Sequence, residues 1–145
     1  RRRYARILDL GCGTALLALA AARVFPQAEV LASDNDPIAT AVARENVRLN
    51  RARPRVRVLT CCGFAHPALR HARFDLILAN ILPNTLIALG PQIKAHLRPG
   101  GTAVLSGILT FQVPQVRAAY AALGFRLDSA MKREGWSILT FTRRS

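Results

Sequence analysis

The feature that most restricts this chain is a repeated change of hydrophobic period, from short apolar runs to Ala- and Leu-rich helical stretches and back. Arg6–Leu10 (RILDL) reads as a buried strand, and Thr14–Phe25 as a helix that Pro26 helps to stop. Glu29–Ser33 is a second strand. Asp36-Pro37 then supplies a capping residue followed by Pro at the first helical position, which opens a helix reaching Asn50. Arg55–Thr60 and Phe74–Ala79 are the third and fourth strands, Pro83–Leu97 is a helix ended by Pro99-Gly100-Gly101, and Thr102–Ser106 is the fifth strand. After a helix over Phe111–Leu123, strands at Phe125–Ala130 and Trp136–Arg143 join through a turn at Glu134-Gly135. No helix separates that last pair, so it forms an antiparallel hairpin at the sheet edge. The expected class is α/β: a mostly parallel sheet with a C-terminal antiparallel hairpin and helices on both faces.

A length of 145 residues fits one domain, and 51% hydrophobic with 20% charged residues excludes disorder by composition. The longest apolar run, Ala15–Ala22, is far short of the ~18 residues of a membrane span, so a soluble protein is expected. Cys12, Cys61 and Cys62 cannot all pair within the chain, and no secretory signal precedes them, which points to a reducing cytoplasm. His66, His71 and His96 are scattered, with no zinc-like spacing, so no metal site is expected. The opening Arg1-Arg2-Arg3, without an initiator Met, suggests an excised domain or a processed form.

Twenty-one basic against 8 acidic residues give a net charge of +13, which makes an acidic partner such as nucleic acid or a ribonucleoprotein worth testing. Apart from Lys94 and Lys132 the basic residues are all Arg, a skew that reads as codon usage rather than as a binding signature. The run Arg51, Arg53, Arg55, Arg57 would place four guanidinium groups on one face of an extended segment, which could track phosphates but reads more readily as a solvated edge that resists strand pairing.

In an open parallel sheet, ligands bind beyond the carboxyl ends of the strands, near the point where strand order reverses. There the chain carries Asp9-Leu10-Gly11-Cys12-Gly13-Thr14-Ala15, whose glycines allow a tight turn and let a ligand lie on the backbone. Asp34, at the end of the second strand, can accept both hydroxyls of a ribose. Asp9 at the mouth of the turn would repel a pyrophosphate but suits the cationic methionine end of S-adenosylmethionine. Leu16 stands where a dinucleotide fingerprint wants its third glycine, which weakens that alternative.

These residues resemble the class I S-adenosylmethionine-dependent methyltransferases, and within them the ribosomal protein L11 methyltransferases (the PrmA family). The resemblance rests on Asp9–Thr14, Ala32-Ser33-Asp34-Asn35-Asp36-Pro37, Asn80-Ile81-Leu82 and Leu105-Ser106-Gly107-Ile108-Leu109, the last two being the specific ones. It implies a seven-stranded Rossmann-like sheet, S-adenosyl-L-methionine as cofactor with S-adenosyl-L-homocysteine as product, and N-methylation of lysine side chains and the N-terminus of ribosomal protein L11. It also implies that a separate N-terminal substrate-holding domain is missing here, so that residues 1–145 are the catalytic half alone. Many members have a third glycine at Ala15, where Ala is tolerated if the backbone is helical.

Asp9, Gly11, Cys12, Gly13, Thr14 and Asp34 are the expected cofactor-binding set. By position Asn35 lies along the adenine, Cys62 and Gly63 border its edge, and Asn80 closes the methyl end. Phe64 or backbone groups contact the base where other methyltransferases use an acid. Methyl transfer to an amine needs an in-line, unprotonated lone pair, so positioning does most of the work. Asn80 offers a side-chain oxygen to the amine, with a backbone carbonyl at Ile81 or Leu82 as second acceptor; the alternative is that Asn80 caps the following turn. Cys61 and Cys62 are expected as buried packing residues. Thr110 and Gln112 either line the substrate side or cap a helix, and Trp136 is expected in core or sheet-edge packing.

Two other readings compete. The same cofactor could serve an RNA or DNA base amine, although Asn80-Ile81-Leu82-Pro83 lacks the aromatic that stacks a flipped base, or it could serve a small-molecule amine. Alternatively, the chain is a cofactor-binding module without turnover.

Overall fold

A computed structural model describes residues 2–145, with β1 (Arg6–Leu10) between two parallel neighbours, β2 (Glu29–Asp34) and β4 (Phe74–Asn80). β3 (Val56–Thr60) extends the sheet beyond β2, and β5 (Leu97–Leu109) extends it beyond β4, both in parallel. β7 (Trp136–Arg143) pairs antiparallel with β5 and with β6 (Phe125–Arg133), so the order is β3-β2-β1-β4-β5-β7-β6. Strand order reverses at β1, where the chain leaves β3 on one side and re-enters as β4 on the other.

Alternation along the strands divides the core. Ile7, Val30, Ala32 and Leu76 face α1 (Leu16–Val24) and α2 (Pro37–Leu49), where Ala18, Ala21, Ala22 and Ala43 let helix and sheet approach closely. Leu8, Leu10 and Ile77 face α3 (Pro83–His96) and α4 (Val113–Ala122), where Leu86, Ile93 and Tyr120 fill the larger cluster. The Tyr120 hydroxyl donates to the Leu86 carbonyl at 2.8 Å, which satisfies a buried polar group between the two helices.

Several boundaries differ from the sequence reading. α1 begins at Leu16 rather than Thr14 because Gly11, Gly13 and Ala15 all have positive φ (69°, 54° and 71°), which no α-helix accommodates. α3 stops at His96, and Leu97 pairs with Phe74; a register shift before Leu76 absorbs Pro99-Gly100-Gly101, so these signals interrupt a strand rather than end a helix. Thr110–Gln112 forms one 3-10 turn before α4. β6 continues to Arg133, and Glu134 and Gly135 (φ 52° and 82°) make the tight hairpin turn.

The arginine run does not share an extended face. Arg51 is left-handed (φ 53°), residues 53–55 form a turn, and only Arg57 of the four lies in β3. Arg55 instead donates to the Ala22 carbonyl at the end of α1. Among the described residues, no helix is long and apolar enough to cross a membrane.

Candidate active site

The carboxyl end of β1 runs directly into the glycine turn, and a web of short hydrogen bonds fixes that turn against β2. The Cys12 N–H donates to the Ser33 carbonyl at 2.8 Å, and the Gly13 N–H donates to Asp34 Oδ2 at 2.8 Å. Asp34 Oδ1 accepts from the Asp36 N–H at 2.9 Å. The half-buried carboxylate is thus held by two backbone donors, and each oxygen keeps a lone pair for a ligand hydroxyl. Asp36 itself caps α2 through the Ile38 N–H.

Asp9 sits elsewhere than the sequence reading put it. Its side chain is only 1% exposed and lies beneath the turn, where Oδ2 accepts from the Ala18 N–H at 2.9 Å. α1 has no side-chain cap at Ala15, so Asp9 satisfies one of the helix's free N-terminal donors from the neighbouring strand. Burial pushes its pKa up to about 7, against the lowering effect of the Ala18 bond and with a further rise from the Asp34 charge. Cys12 is buried beside it, and burial followed by the charges of Asp9 and Asp34 pushes its thiol up to about 12. Ala15 is left-handed rather than helical, so the condition under which Ala replaces Gly without cost is not met.

Gly11, Asp34, Asn35 and Gly63 come together in a cleft of about 310 Å³ that is also lined by Leu10, Ser33, Cys61, Ile81, Leu82, Thr85 and Leu89. Gly11 must lack a side chain here: a Cβ would stand 2.4 Å from Ile81 Cγ2. The Ser33 hydroxyl is buried at the wall of this cleft without a hydrogen-bond partner among the described residues. Thr14 is exposed, its carbonyl taken by Asn46 Nδ2, and lines a different groove. Cys62 is exposed and lines a neighbouring cavity, so that Cys61 stands in the cleft in its place. Phe64 is buried and stacked on His96, 4.2 Å between ring centroids, and belongs to the core rather than to the cleft.

A second cleft of about 620 Å³ opens on the other side of Ile81 and Leu82, lined by Asn80, Ser106, Gly107, Trp136, Ser137 and Ile138. Asn80 is exposed at the end of β4, with Oδ1 in the space left by Gly107. The Leu82 carbonyl accepts from the Leu86 N–H at 2.9 Å as the first bond of α3, which leaves the Ile81 carbonyl as the freer acceptor beside Asn80. Trp136 is 54% exposed and forms the cleft wall with Ile138, contrary to the packing role expected from sequence. The alternation of β7 puts both on one face, a signal already present in the Trp136-Ser137-Ile138 order. Thr110 and Gln112 cap: Thr110 Oγ1 donates to the Gly135 carbonyl, and Gln112 Oε1 accepts from the Leu109 N–H.

A sheet in this order, with a glycine turn after β1 and an acid closing β2, is the fold of the Rossmann-like methyltransferases. A solved ribosomal protein L11 methylase from Lactobacillus delbrueckii subsp. bulgaricus superposes with a TM-score of 0.87 at 30% identity, over 99% of this chain and 72% of that one. The chain belongs to the ribosomal protein L11 methyltransferase (PrmA) family, whose pattern matches residues 1–144. Proteins named ribosomal protein L11 methyltransferase from Chelativorans sp. (strain BNC1) and Brucella abortus (strain S19) are 52% and 48% identical over 94% and 93% of this chain. The match covers 47% of each, so the chain spans about half the length of the curated relatives it matches.

Proposed function

We propose that residues 1–145 form the catalytic unit of an S-adenosylmethionine-dependent N-methyltransferase acting on amino groups of ribosomal protein L11. The observation that carries this reading is the pair of clefts meeting at Ile81-Leu82, with ribose-binding chemistry at Asp34 on one side and the Asn80 carboxamide on the other. The first cleft suits the cofactor: the Ser33 hydroxyl lacks a partner, Asp34 is pre-oriented by Gly13 and Asp36, and Gly11, lacking a Cβ, lets Ile81 pack against the turn as a wall of the cleft. S-adenosylmethionine, when bound there, supplies the electrophilic methyl group.

The remaining work falls to the chain's own residues. Asp34 binds ribose hydroxyls, and Asn35, Cys61 and Gly63 border the base. Asp9 acts as a positioning residue, since it holds the start of α1 and so the shape of the turn. Asn80 Oδ1 and the Ile81 carbonyl form a pair of acceptors for an amine's N–H groups, which turns the nitrogen lone pair toward the first cleft. Asparagine carries no charge that would hold the amine as an ammonium, so the acceptor can arrive neutral. Trp136 and Ile138 give an apolar wall along which the methylene stem of a lysine can lie. A cytoplasmic location is part of this reading, supported by the free thiols of Cys12, Cys61 and Cys62.

The test is transfer of labelled methyl from S-adenosylmethionine to purified ribosomal protein L11, with RNA and a no-acceptor control in parallel. Label on protein amines supports the proposal. Label on RNA, or none on either, refutes it.

A further inference from the structure

The positive charge of this chain is not spread evenly over the fold. At the amino end of the parallel strands, opposite the two clefts, four carboxylates are already paired: Glu29 with Arg6, Glu45 with Arg48, Asp75 with Arg98, and Asp128 with Arg126. Arg3, Arg23, Arg51, Arg53, Arg73 and Arg144 stay exposed at the same end with no carboxylate partner among the described residues. The carboxyl end holds Asp9, Asp34, Asp36 and Glu134 together with Arg44, Lys132 and Arg133, so that charge there nearly balances. Codon usage can exchange Lys for Arg, but it neither adds charge nor sorts charge to one end of a sheet.

The surface there is concave as well as basic. A groove of about 690 Å³ runs along α1 and α2 from Thr14 and Leu16 at the glycine turn, over the apolar Leu19 and Ala22, to Arg23, Arg51 and Arg55 at the amino end, where the buried Arg55 Nε has no partner. A hollow of about 220 Å³ beside Arg3 and Arg98 continues the surface around the start of β1. The cations span several elements, too wide a spread for one small anion. Guanidinium groups match phosphate oxygens bidentately. Tyr4 and Phe25 are packed edge-on against each other at 5.0 Å, and Phe74 and Phe125 at the strand starts are buried, so these rings offer no platform on which unpaired bases could stack.

We infer that this face docks the phosphate backbone of duplex RNA, held by arginines without base readout, while the two clefts at the opposite end stay open. The choice of RNA over DNA rests on the proposed ribosomal acceptor; the phosphate chemistry does not. Binding needs neither cofactor nor acceptor, so its failure and the failure of the methyltransferase reading are separate results.

The experiment is fluorescence anisotropy with a labelled RNA duplex of about 16 base pairs, titrated at increasing salt, alongside a DNA duplex and anionic phosphatidylserine vesicles. The expected plot of log affinity against log salt falls with a slope of about −3 or steeper, as for several phosphates contacted. The combined variant Arg23→Gln, Arg51→Gln, Arg53→Gln lowers the slope by about 2–3 with an unchanged unfolding midpoint. Absence of salt-dependent RNA binding, a variant with the parent's slope, or tighter binding to DNA or vesicles would overturn the inference.

Discussion

Gly107 and Asn80 share one space: a Cβ on Gly107 would stand 2.7 Å from Asn80 Oδ1 and 3.2 Å from the Ile81 carbonyl oxygen. The glycine in the Ser106-Gly107-Ile108 stretch is thus what lets the carboxamide and the carbonyl face the same point. It also carries a φ of 76°, which a side chain disfavours. Gly107→Ala is expected to push the Asn80 carboxamide aside, because that is the softer of the two neighbours. Methyl transfer should fall by something on the order of 10²-fold, the cost of a misplaced positioning group. S-adenosylhomocysteine affinity, measured alongside, should hold close to the parent value, since the first cleft is untouched. Equal losses in both would contradict the assignment of Asn80 to the acceptor side.

Ala15→Gly tests the strain in the glycine turn. Ala15 is fully buried and left-handed (φ 71°, ψ 24°), a conformation that costs an L-residue roughly 1–2 kcal/mol. Glycine removes that cost and gives part of it back through the unfolded chain, for a net gain of about 1 kcal/mol and a midpoint about 2–4 °C higher. Thermal unfolding followed by circular dichroism reads it directly. A lower midpoint would mean that the methyl group's packing outweighs the backbone strain.

Asp9 makes stability depend on pH. Its folded pKa of about 7 lies above the unfolded value, so the folded state holds a proton that the unfolded state releases. The stability this contributes is full below about pH 4, falls as pH rises, and is gone above about pH 7, a total on the order of 4 kcal/mol. Asp9→Asn keeps an acceptor for the Ala18 N–H and cannot ionise. The variant should therefore melt above the parent at about pH 8, with the gap closing steadily toward about pH 4. Parallel melting curves across that range would show that Asp9 stays charged in the fold.

Much of this architecture is written locally in the chain. The strand periodicity, the Asp36-Pro37 helix start and the Glu134-Gly135 turn each encode their own conformation, and the structure agrees with them. The Asp34 carboxylate could be placed at the end of β2 for the same reason. What the sequence concealed depends on contacts between distant segments. Asp9 turns under the loop because β1 is buried on both faces, and its side chain falls on the α1 side with Ile7. Cys61 rather than Cys62 reaches the cleft because the chain has left β3 and no longer alternates. Trp136 meets Asn80 only because β7 inserts between β5 and β6, a pairing invisible in local pattern. The register shift that hides Pro99-Gly100-Gly101 inside β5 has the same origin.

Every catalytic role assigned above depends on the first cleft holding the cofactor, and calorimetric titration with S-adenosylhomocysteine on this chain and on Asp34→Ala tests it most directly. The parent should bind in the micromolar range and the variant at least about tenfold more weakly, about 1.4 kcal/mol or more for lost charged hydrogen bonds. Binding that ignores the substitution, or no binding by the parent, would contradict it.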